Sequence, residues 1–164
     1  MKYRVSSGTL TVQARSKVHD TTTTWSKVTG DVDADADAIE NATAMFAIDM
    51  SSFDAGDWLK NRKLRKDFDM DAHPRATFEL RGVKDVQRDG TAFTATAEGV
   101  LRWRGKELVL VLAGRGTLDP MRVTARATFE LDIKRLGLTA PRFLMIKIED
   151  EVSVEVSVTG AVIA

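Results

Sequence analysis

The sequence predicts an all-β protein in which about eight antiparallel strands close into a barrel, with one short helix between strands. Three observations support this. Apolar and polar residues alternate with a period of two along most of the chain, short turn signals separate the alternating runs, and one segment carries a helical pattern instead.

The alternation is clearest at the carboxyl end, where valines occupy every second position over 152–158. The stretch 123–133 repeats it, with Phe129 and Leu131 among its apolar residues. We call each such set of alternate apolar residues a row. Earlier rows lie at 10–14, at 42–50 with Phe46, Ile48 and Met50, at 76–80 with Phe78 and Leu80, and at 93–103 with Phe93, Leu101 and Trp103. A period of two is typical of strands with one buried and one solvated face. The threonine-rich stretch 21–28 is predicted as a further strand.

Turn residues lie between the runs at Arg88-Asp89-Gly90, Arg104-Gly105-Lys106 and Leu118-Asp119-Pro120. Such short connections join strands that are antiparallel neighbours. The exception is DAGDWLKNRKLRKDF at 54–68, where Asp54 and Asp57 can cap a helix of good helix formers. There we predict a short helix, with Trp58, Leu59, Leu64 and Phe68 as its packing stripe.

The 164 residues fit a single domain, 1–164. The absence of cysteine excludes thiolate metal sites and cysteine nucleophiles, and a net charge of zero gives no reason to expect a nucleic-acid partner. The longest apolar run, 108–113, is too short for stable membrane insertion. The polar amino-terminal stretch MKYRVSSGTLTV does not resemble an export signal, so we expect a soluble, cytoplasmic protein.

A barrel of this size is lipocalin-like, and its interior is either filled by side chains or holds one small ligand. The apolar rows mix large groups such as Phe46 and Phe129 with small ones such as Ala125, Ala127 and Gly99. The mixture can leave a lined slot, or the large groups can interdigitate with the small ones as an ordinary core. Both outcomes are open on the pattern alone.

Four stretches, taken in order, resemble the YceI-like polyisoprenoid-binding proteins, which fold as lipocalin-like barrels. They are AMFAIDMSSFDAGDWLKNRKLRKDFDMDAHPRATFEL, GVLRWRGKELVLVL, ATFELDIKRLGL and IKIEDEVSVEVSV. The second is similar to the family's Gly-x-Leu-Thr-Ile-Arg-Gly hairpin, and the fourth to its Asp-x-Val final strand. The chain departs from the family pattern at Asn61-Arg62, Lys63-Leu64 and Lys134-Arg135.

The resemblance implies that the barrel interior binds an isoprenoid or another amphiphilic lipid, such as a prenyl quinone, its precursor or a polyprenyl phosphate, as carrier or store. The predicted ligand-binding residues are the larger apolar ones of the inward rows: Phe46, Ile48, Met50, Phe78, Leu80, Phe93, Leu101, Trp103, Phe129 and Leu131. From the basic cluster of 60–66 we add Arg62 and Arg65, whose guanidinium groups could pair with an anionic head group at the barrel mouth. The alternative for the cluster is a solvated helix face beside Asp67, Asp69 and Asp71.

We predict no catalytic residue, no metal site and no cofactor. Only His19 and His73 could carry protons near neutral pH, and Ser16, His19 and Asp20 lie too close along an extended chain to be taken as a triad. The aspartates at 31–37 lack the glycine and glutamate of a calcium-binding loop. Two alternatives stay open, an enzyme acting on a hydrophobic substrate in the same barrel and an interaction module with a filled core. A homodimer is also compatible with the sequence.

Overall fold

The computed structural model describes residues 1–18, 20–140, 142–143 and 146–163. His19 lies outside these residues. The strands of the described part are β1 (Lys2–Ser16), β2 (Thr21–Trp25), β3 (Val28–Asp33), β4 (Thr43–Asp49), β5 (Phe53–Asp54), β6 (Arg75–Asp89), β7 (Ala92–Trp103), β8 (Lys106–Leu118), β9 (Arg122–Asp132), β10 (Arg142–Phe143) and β11 (Ile146–Val162). The α-helix is α1 (Trp58–Asp67), and short 3-10 turns lie at Ile39–Asn41, Met50–Ser52 and Ile133–Leu136.

Eight strands form a closed antiparallel barrel in the order β1, β3, β4, β6, β7, β8, β9 and β11, with β11 pairing back to β1. From β6 to β9 each strand pairs with the next along the chain. The predicted turns are confirmed, since β6–β7, β7–β8 and β8–β9 are joined by two- or three-residue connections. The predicted all-β barrel with one short helix is therefore confirmed. The strands β3 and β4, at six and seven residues, are the shortest of the eight.

Along one edge, β1 pairs with two different strands. Its first half, Lys2–Val5, pairs with β3, whereas Leu10–Ala14 pairs with β2. A register shift between Val5 and Ser7 separates the halves. Such a bulge changes which alternate residues face inward. Odd-numbered Tyr3 and Val5 are therefore buried, while even-numbered Leu10 lines the barrel interior.

One end of the barrel, which we call the helix end, carries α1, β2, β5 and the turn between β7 and β8. Asp57 is the N-cap of α1, as predicted, since its carboxylate accepts a hydrogen bond from the Lys60 amide at 2.8 Å. The Trp103 indole donates to the His73 carbonyl at 2.9 Å, and the Arg104 guanidinium donates to the Phe68 carbonyl. These bonds attach the segment that follows α1 to the barrel wall.

The predicted packing stripe of α1 is only half right. Leu64 is buried and Phe68 packs against the core, but Trp58 is 68% and Leu59 is 62% exposed. On a helix these two residues lie on the side away from Leu64, because residues at spacings of five and six do not share a face. The helix therefore covers the barrel with its last turns only.

The opposite end is closed by Tyr3, one of the most deeply buried side chains. Its hydroxyl donates to the Asp119 carbonyl oxygen at 2.7 Å, which ties β1 to the turn between β8 and β9. Burial, together with the nearby Asp119 and Asp35 carboxylates, raises the pKa of this phenol above its ordinary value of 10.0.

The wall is discontinuous between β8 and β9. Their ladder covers Ala113–Leu118 and Val123–Thr128. If its register continued, Val111 would face Glu130 and Val109 would face Asp132, but the described residues 106–112 and 129–132 form no such pairs. We call this stretch the β8–β9 seam. On its β8 side, Val109 and Val111 are exposed.

Two glycines of β8 provide a test of how tightly the wall is packed. A Cβ at Gly116 would collide with the Thr124 carbonyl oxygen, whereas a Cβ at Gly114 would meet nothing closer than 3.7 Å. We expect Gly116→Ala to lower the free energy of unfolding by about 1–3 kcal/mol, because the backbone of β9 must move. Gly114→Ala is the matched control and should leave stability nearly unchanged in urea unfolding. Equal effects of the two substitutions would contradict the packing described between β8 and β9.

The raised pKa of Tyr3 predicts a loss of stability at alkaline pH. When the pKa of a phenol is higher in the folded than in the unfolded protein, its contribution to the free energy of unfolding is complete at pH values below the unfolded-state pKa. That contribution is lost as the pH rises through the folded-state pKa. Urea unfolding from neutral pH to above 10 should show a larger loss of stability in the wild type than in Tyr3→Phe, in which only other groups such as Lys134 titrate. Tyr3→Phe should be about 1 kcal/mol less stable at neutral pH, since the hydrogen bond to Asp119 is absent. The chain has one tyrosine, so near-ultraviolet absorbance follows this phenol alone, and titration at the ordinary pKa would contradict the prediction.

Candidate functional site

The barrel encloses an apolar cavity of about 120 Å³. The thirteen lining residues are Leu10, Val28, Phe46, Ile48, Phe78, Leu101, Leu110, Leu112, Ala125, Ala127, Phe129, Val156 and Val158. Every one of these side chains is a hydrocarbon, so the cavity is a site for an apolar group.

All eight barrel strands contribute residues to the cavity wall. β1 supplies Leu10, β3 supplies Val28, and β11 supplies Val156 and Val158. The other five strands supply the remaining lining residues. The cavity therefore lies on the barrel axis, and closure of the sheet is what creates it.

Side-chain size explains why space remains. Phe46 of β4 pairs with Phe78 of β6, so two large rings stand side by side on one part of the wall. On β9, Ala125 and Ala127 occupy inward positions beside Val158 and Val156 of β11. Alanine cannot reach across the barrel to the rings, so the volume between the two parts of the wall is not filled.

The volume limits what fits without rearrangement. Pockets for drug-sized ligands have volumes of about 300–1,000 Å³, and an apolar cavity of about 150 Å³ holds a benzene-sized molecule. The cavity described here therefore fits one small apolar group, and a longer chain requires side chains of the lining to change rotamer. The sequence left open a lined slot or a filled core, and the observed interior is intermediate, with a core that leaves one small cavity.

Five of the ten apolar residues predicted to bind ligand line the cavity: Phe46, Ile48, Phe78, Leu101 and Phe129. The other five, which lie elsewhere on the inner face or at its ends, are Met50, Leu80, Phe93, Trp103 and Leu131. Met50 and Trp103 are buried at the helix end, where Met50 donates its backbone N–H to the Pro74 carbonyl oxygen. Ligand contact by any of the ten stays a prediction.

The two predicted head-group residues lie on α1, outside the cavity, and are exposed. Arg65 forms an ion pair with Asp71 at 2.9 Å, and its guanidinium lies 5.1 Å from the centroid of the Phe53 ring. Lys63 of the same cluster pairs with Asp67 at 3.0 Å. These pairs agree with a solvated helix face beside acidic residues, and a role for Arg62 and Arg65 in head-group binding stays a prediction.

Eight lining residues were not in the predicted set: Leu10, Val28, Leu110, Leu112, Ala125, Ala127, Val156 and Val158. Most belong to rows whose alternation was visible, but the prediction favoured large side chains. The sequence pattern did not identify Leu110 and Leu112 as inward-facing, for another reason. The outward residues Val109 and Val111 are apolar too, so the run 108–113 shows no alternation.

Ionisable groups with shifted pKa values lie outside the cavity lining. The pKa of Glu79 is lowered by a hydrogen bond from Arg102, whose own pKa is raised by hydrogen bonds to Glu107 and Glu79. Arg102 lies 3.0 Å from both carboxylates, across neighbouring strands. The lining offers no acid or base that could move a proton inside the cavity.

Comparison with solved structures shows the same fold in several proteins. A polyisoprenoid binding domain from Saccharophagus degradans, implicated in plant cell wall breakdown, has a TM-score of 0.79 with 15% identity, covering 98% of each chain. Burkholderia cenocepacia BcnA has a TM-score of 0.76 with 19% identity over 93% of this chain and 95% of that one. The Campylobacter jejuni YCEI protein has a TM-score of 0.69 with 13% identity over 92% and 85%.

No curated protein sequence matches the chain at a significant level. None of the helical segments in the described part of the chain has the length and hydrophobicity that crossing a bilayer requires. The sequence profile of the YceI-like domain matches residues 3–160, which is nearly the whole chain. The predicted resemblance is therefore confirmed, and the chain belongs to the YceI-like domain family.

Proposed function

We propose that the protein binds an isoprenoid or similar long apolar lipid inside the barrel and acts as its carrier or store. The observation that carries the proposal is the cavity on the barrel axis, whose thirteen lining side chains are all hydrocarbon. The structural neighbour from Saccharophagus degradans, described as a polyisoprenoid binding domain, supports the same class of ligand.

The driving force for such binding needs no polar contact. Each Å² of apolar surface removed from water contributes about 25 cal/mol, so a chain of methyl-branched units can bind tightly to a purely hydrocarbon wall. The branched residues of the lining, such as Val156 and Leu110, are suited to pack against methyl branches. An apolar interior of this kind discriminates weakly between lipids of similar width.

A long chain needs more than 120 Å³. Phe46, Phe78 and Leu101 lie together on one part of the wall, with Phe78 paired to Phe46 on one side and to Leu101 on the other. Rotation of these side chains toward the barrel ends would extend the cavity along the axis. We therefore expect the cavity to be longer in the lipid-bound protein.

The proposal is tested by identifying what the protein carries. Protein purified without detergent should yield, on organic extraction and mass spectrometry, a lipid with an isoprenoid or other long apolar chain in near-stoichiometric amount. Extraction after unfolding in urea serves as a control for lipid adsorbed on the surface, because only enclosed lipid should require unfolding for its release. Repeated recovery of no lipid, together with no uptake of added polyprenols, would overturn the proposal.

A substitution that fills the cavity should prevent binding without unfolding the barrel. Ala127→Leu places three extra carbon atoms in the cavity, and we expect at least a tenfold loss of affinity for a polyprenol with stability equal to or slightly above wild type. Ala113→Leu, at an exposed position on the outer face of β8, is the matched control. Fluorescence titration with a lipid probe measures both, and equal affinities for the two variants would place the ligand outside this cavity.

A further inference from the structure

The inner face of β2 is the polar part of an otherwise apolar interior. Among the residues that the structure describes, the buried ones with a polar or charged side chain are Thr21 and Thr23, which are 5% and 6% exposed. Both lie on β2 together with Trp25, which is 6% exposed. Sequence analysis predicted the strand but assigned these residues no role.

The strand register shows that these side chains face inward. Trp25 pairs with Leu10, which lines the cavity, and residues paired across a ladder lie on the same face of the sheet. Thr23 pairs with Val12 and Thr21 with Ala14, so alternate residues of β2 continue this face toward the helix end. At about 3.4 Å per residue, the row from Trp25 to Thr21 is about 14 Å long and begins beside the cavity.

Two polar atoms of this row have no hydrogen-bond partner. The Thr21 hydroxyl and the Trp25 indole Nε1 are buried, and neither forms a hydrogen bond in the described part of the chain. A buried polar group without a partner is destabilising, and most such groups in folded proteins are satisfied. A hydrogen-bonding group that enters the interior would remove this cost.

We propose that Trp25 and Thr21 form a head-group subsite for an amphiphile whose head is uncharged and accepts hydrogen bonds, such as a ketone. The inference rests on the proposed function, because the apolar chain of the same ligand lies in the cavity. The Trp25 indole donates to the head-group oxygen nearest the cavity, and the Thr21 hydroxyl donates to an oxygen further toward the helix end.

The inward-facing side chains of β2 are uncharged, which argues against an anionic head group. Neither Trp25 nor Thr21 carries charge, and a phosphate buried without a cation is strongly disfavoured. Arg65 is separated from Trp25 by the Phe53 ring, whose centroid lies 6.4 Å from that of Trp25, and it already pairs with Asp71. Arg104, in the turn between β7 and β8, lies over the Trp103 ring and donates to the Phe68 carbonyl, whereas its buried Nε has no hydrogen-bond partner among the described residues.

Four probes with a fifteen-carbon branched chain separate the contributions. They are farnesyl-1,4-benzoquinone, whose two ketone oxygens only accept hydrogen bonds, farnesylacetone, which has one such oxygen, farnesane, a saturated hydrocarbon without a head group, and farnesyl phosphate. Their affinities are measured by displacement of Nile red from the wild type, Trp25→Phe and Thr21→Val. Thr22→Val is the matched control, since Thr22 lies on the outer face of β2, where its hydroxyl donates to Gln13 at 3.0 Å. Thermal unfolding of each ligand-free variant is measured in parallel.

We expect Trp25→Phe to weaken binding of both farnesylacetone and the quinone about tenfold, because it removes the hydrogen bond to the oxygen nearest the cavity. Thr21→Val should weaken binding of the quinone about tenfold and leave that of farnesylacetone unchanged, because only the quinone has a second oxygen. Farnesane affinity should be unchanged, and farnesyl phosphate should bind the wild type more weakly than farnesylacetone. Ligand-free Thr21→Val should be as stable as the wild type or more so, because it removes an unsatisfied buried group at nearly constant volume. Ligand-free Trp25→Phe should be modestly less stable, because the smaller ring also loses apolar contacts in the core. Thr22→Val should bind all four probes as the wild type does.

The outcomes distinguish this subsite from the proposed function. If farnesane, farnesylacetone and the quinone bind but the variants bind all three as the wild type does, the subsite is overturned and the carrier function stands. Tighter binding of farnesyl phosphate than of farnesylacetone also overturns it. A large fall in the thermal stability of the ligand-free variants, with unchanged preference among the probes, assigns Trp25 and Thr21 a structural role instead. If none of the probes binds the wild type, the proposed function fails and the subsite fails with it.

Discussion

The ladder between β1 and β11 is the constraint on which the rest of the structure depends. It joins the two ends of the chain over twelve residue pairs, from Tyr3 with Val162 to Ser16 with Ile148, and so closes the sheet into a barrel. Closure fixes which side chains share the interior, because alternate residues of each strand must then face the axis. An open sheet with the same strands would leave its apolar face without a partner.

Closure also determines the character of the cavity. Once the large rings of β4 and β6 and the alanines of β9 face the same axis, their difference in size leaves a hydrocarbon-lined space. The same arrangement places the ion pairs of Glu79, Arg102 and Glu107 on the outer face. These charges are therefore separated from the interior by the sheet itself. Among the described residues, the buried side-chain atoms without a hydrogen-bond partner are the Thr21 hydroxyl and Trp25 Nε1 of β2 and Nε of Arg104 at the helix end.

Most of the fold could be predicted from the sequence, because a period of two specifies a strand and its buried face with little help from tertiary contacts. The helix cap at Asp57 and the turn at Arg104-Gly105 follow from similarly local chemistry. The candidate site was harder to predict. Whether Phe46 or Phe93 reaches the cavity depends on its height along the barrel axis, which alternation does not encode. The division of 21–33 into β2 and β3 depends on the bulge in β1, which is a tertiary feature.

The β8–β9 seam affects how the circumference of the barrel can change. Separating two barrel strands elsewhere breaks a ladder, but along 106–112 and 129–132 there is no β8–β9 ladder to break. Leu110, Leu112 and Phe129, which line the cavity, lie along this stretch. The circumference is thus adjustable at the level where the cavity lies, while the ladder over Ala113–Leu118 keeps the opposite half of the same two strands joined.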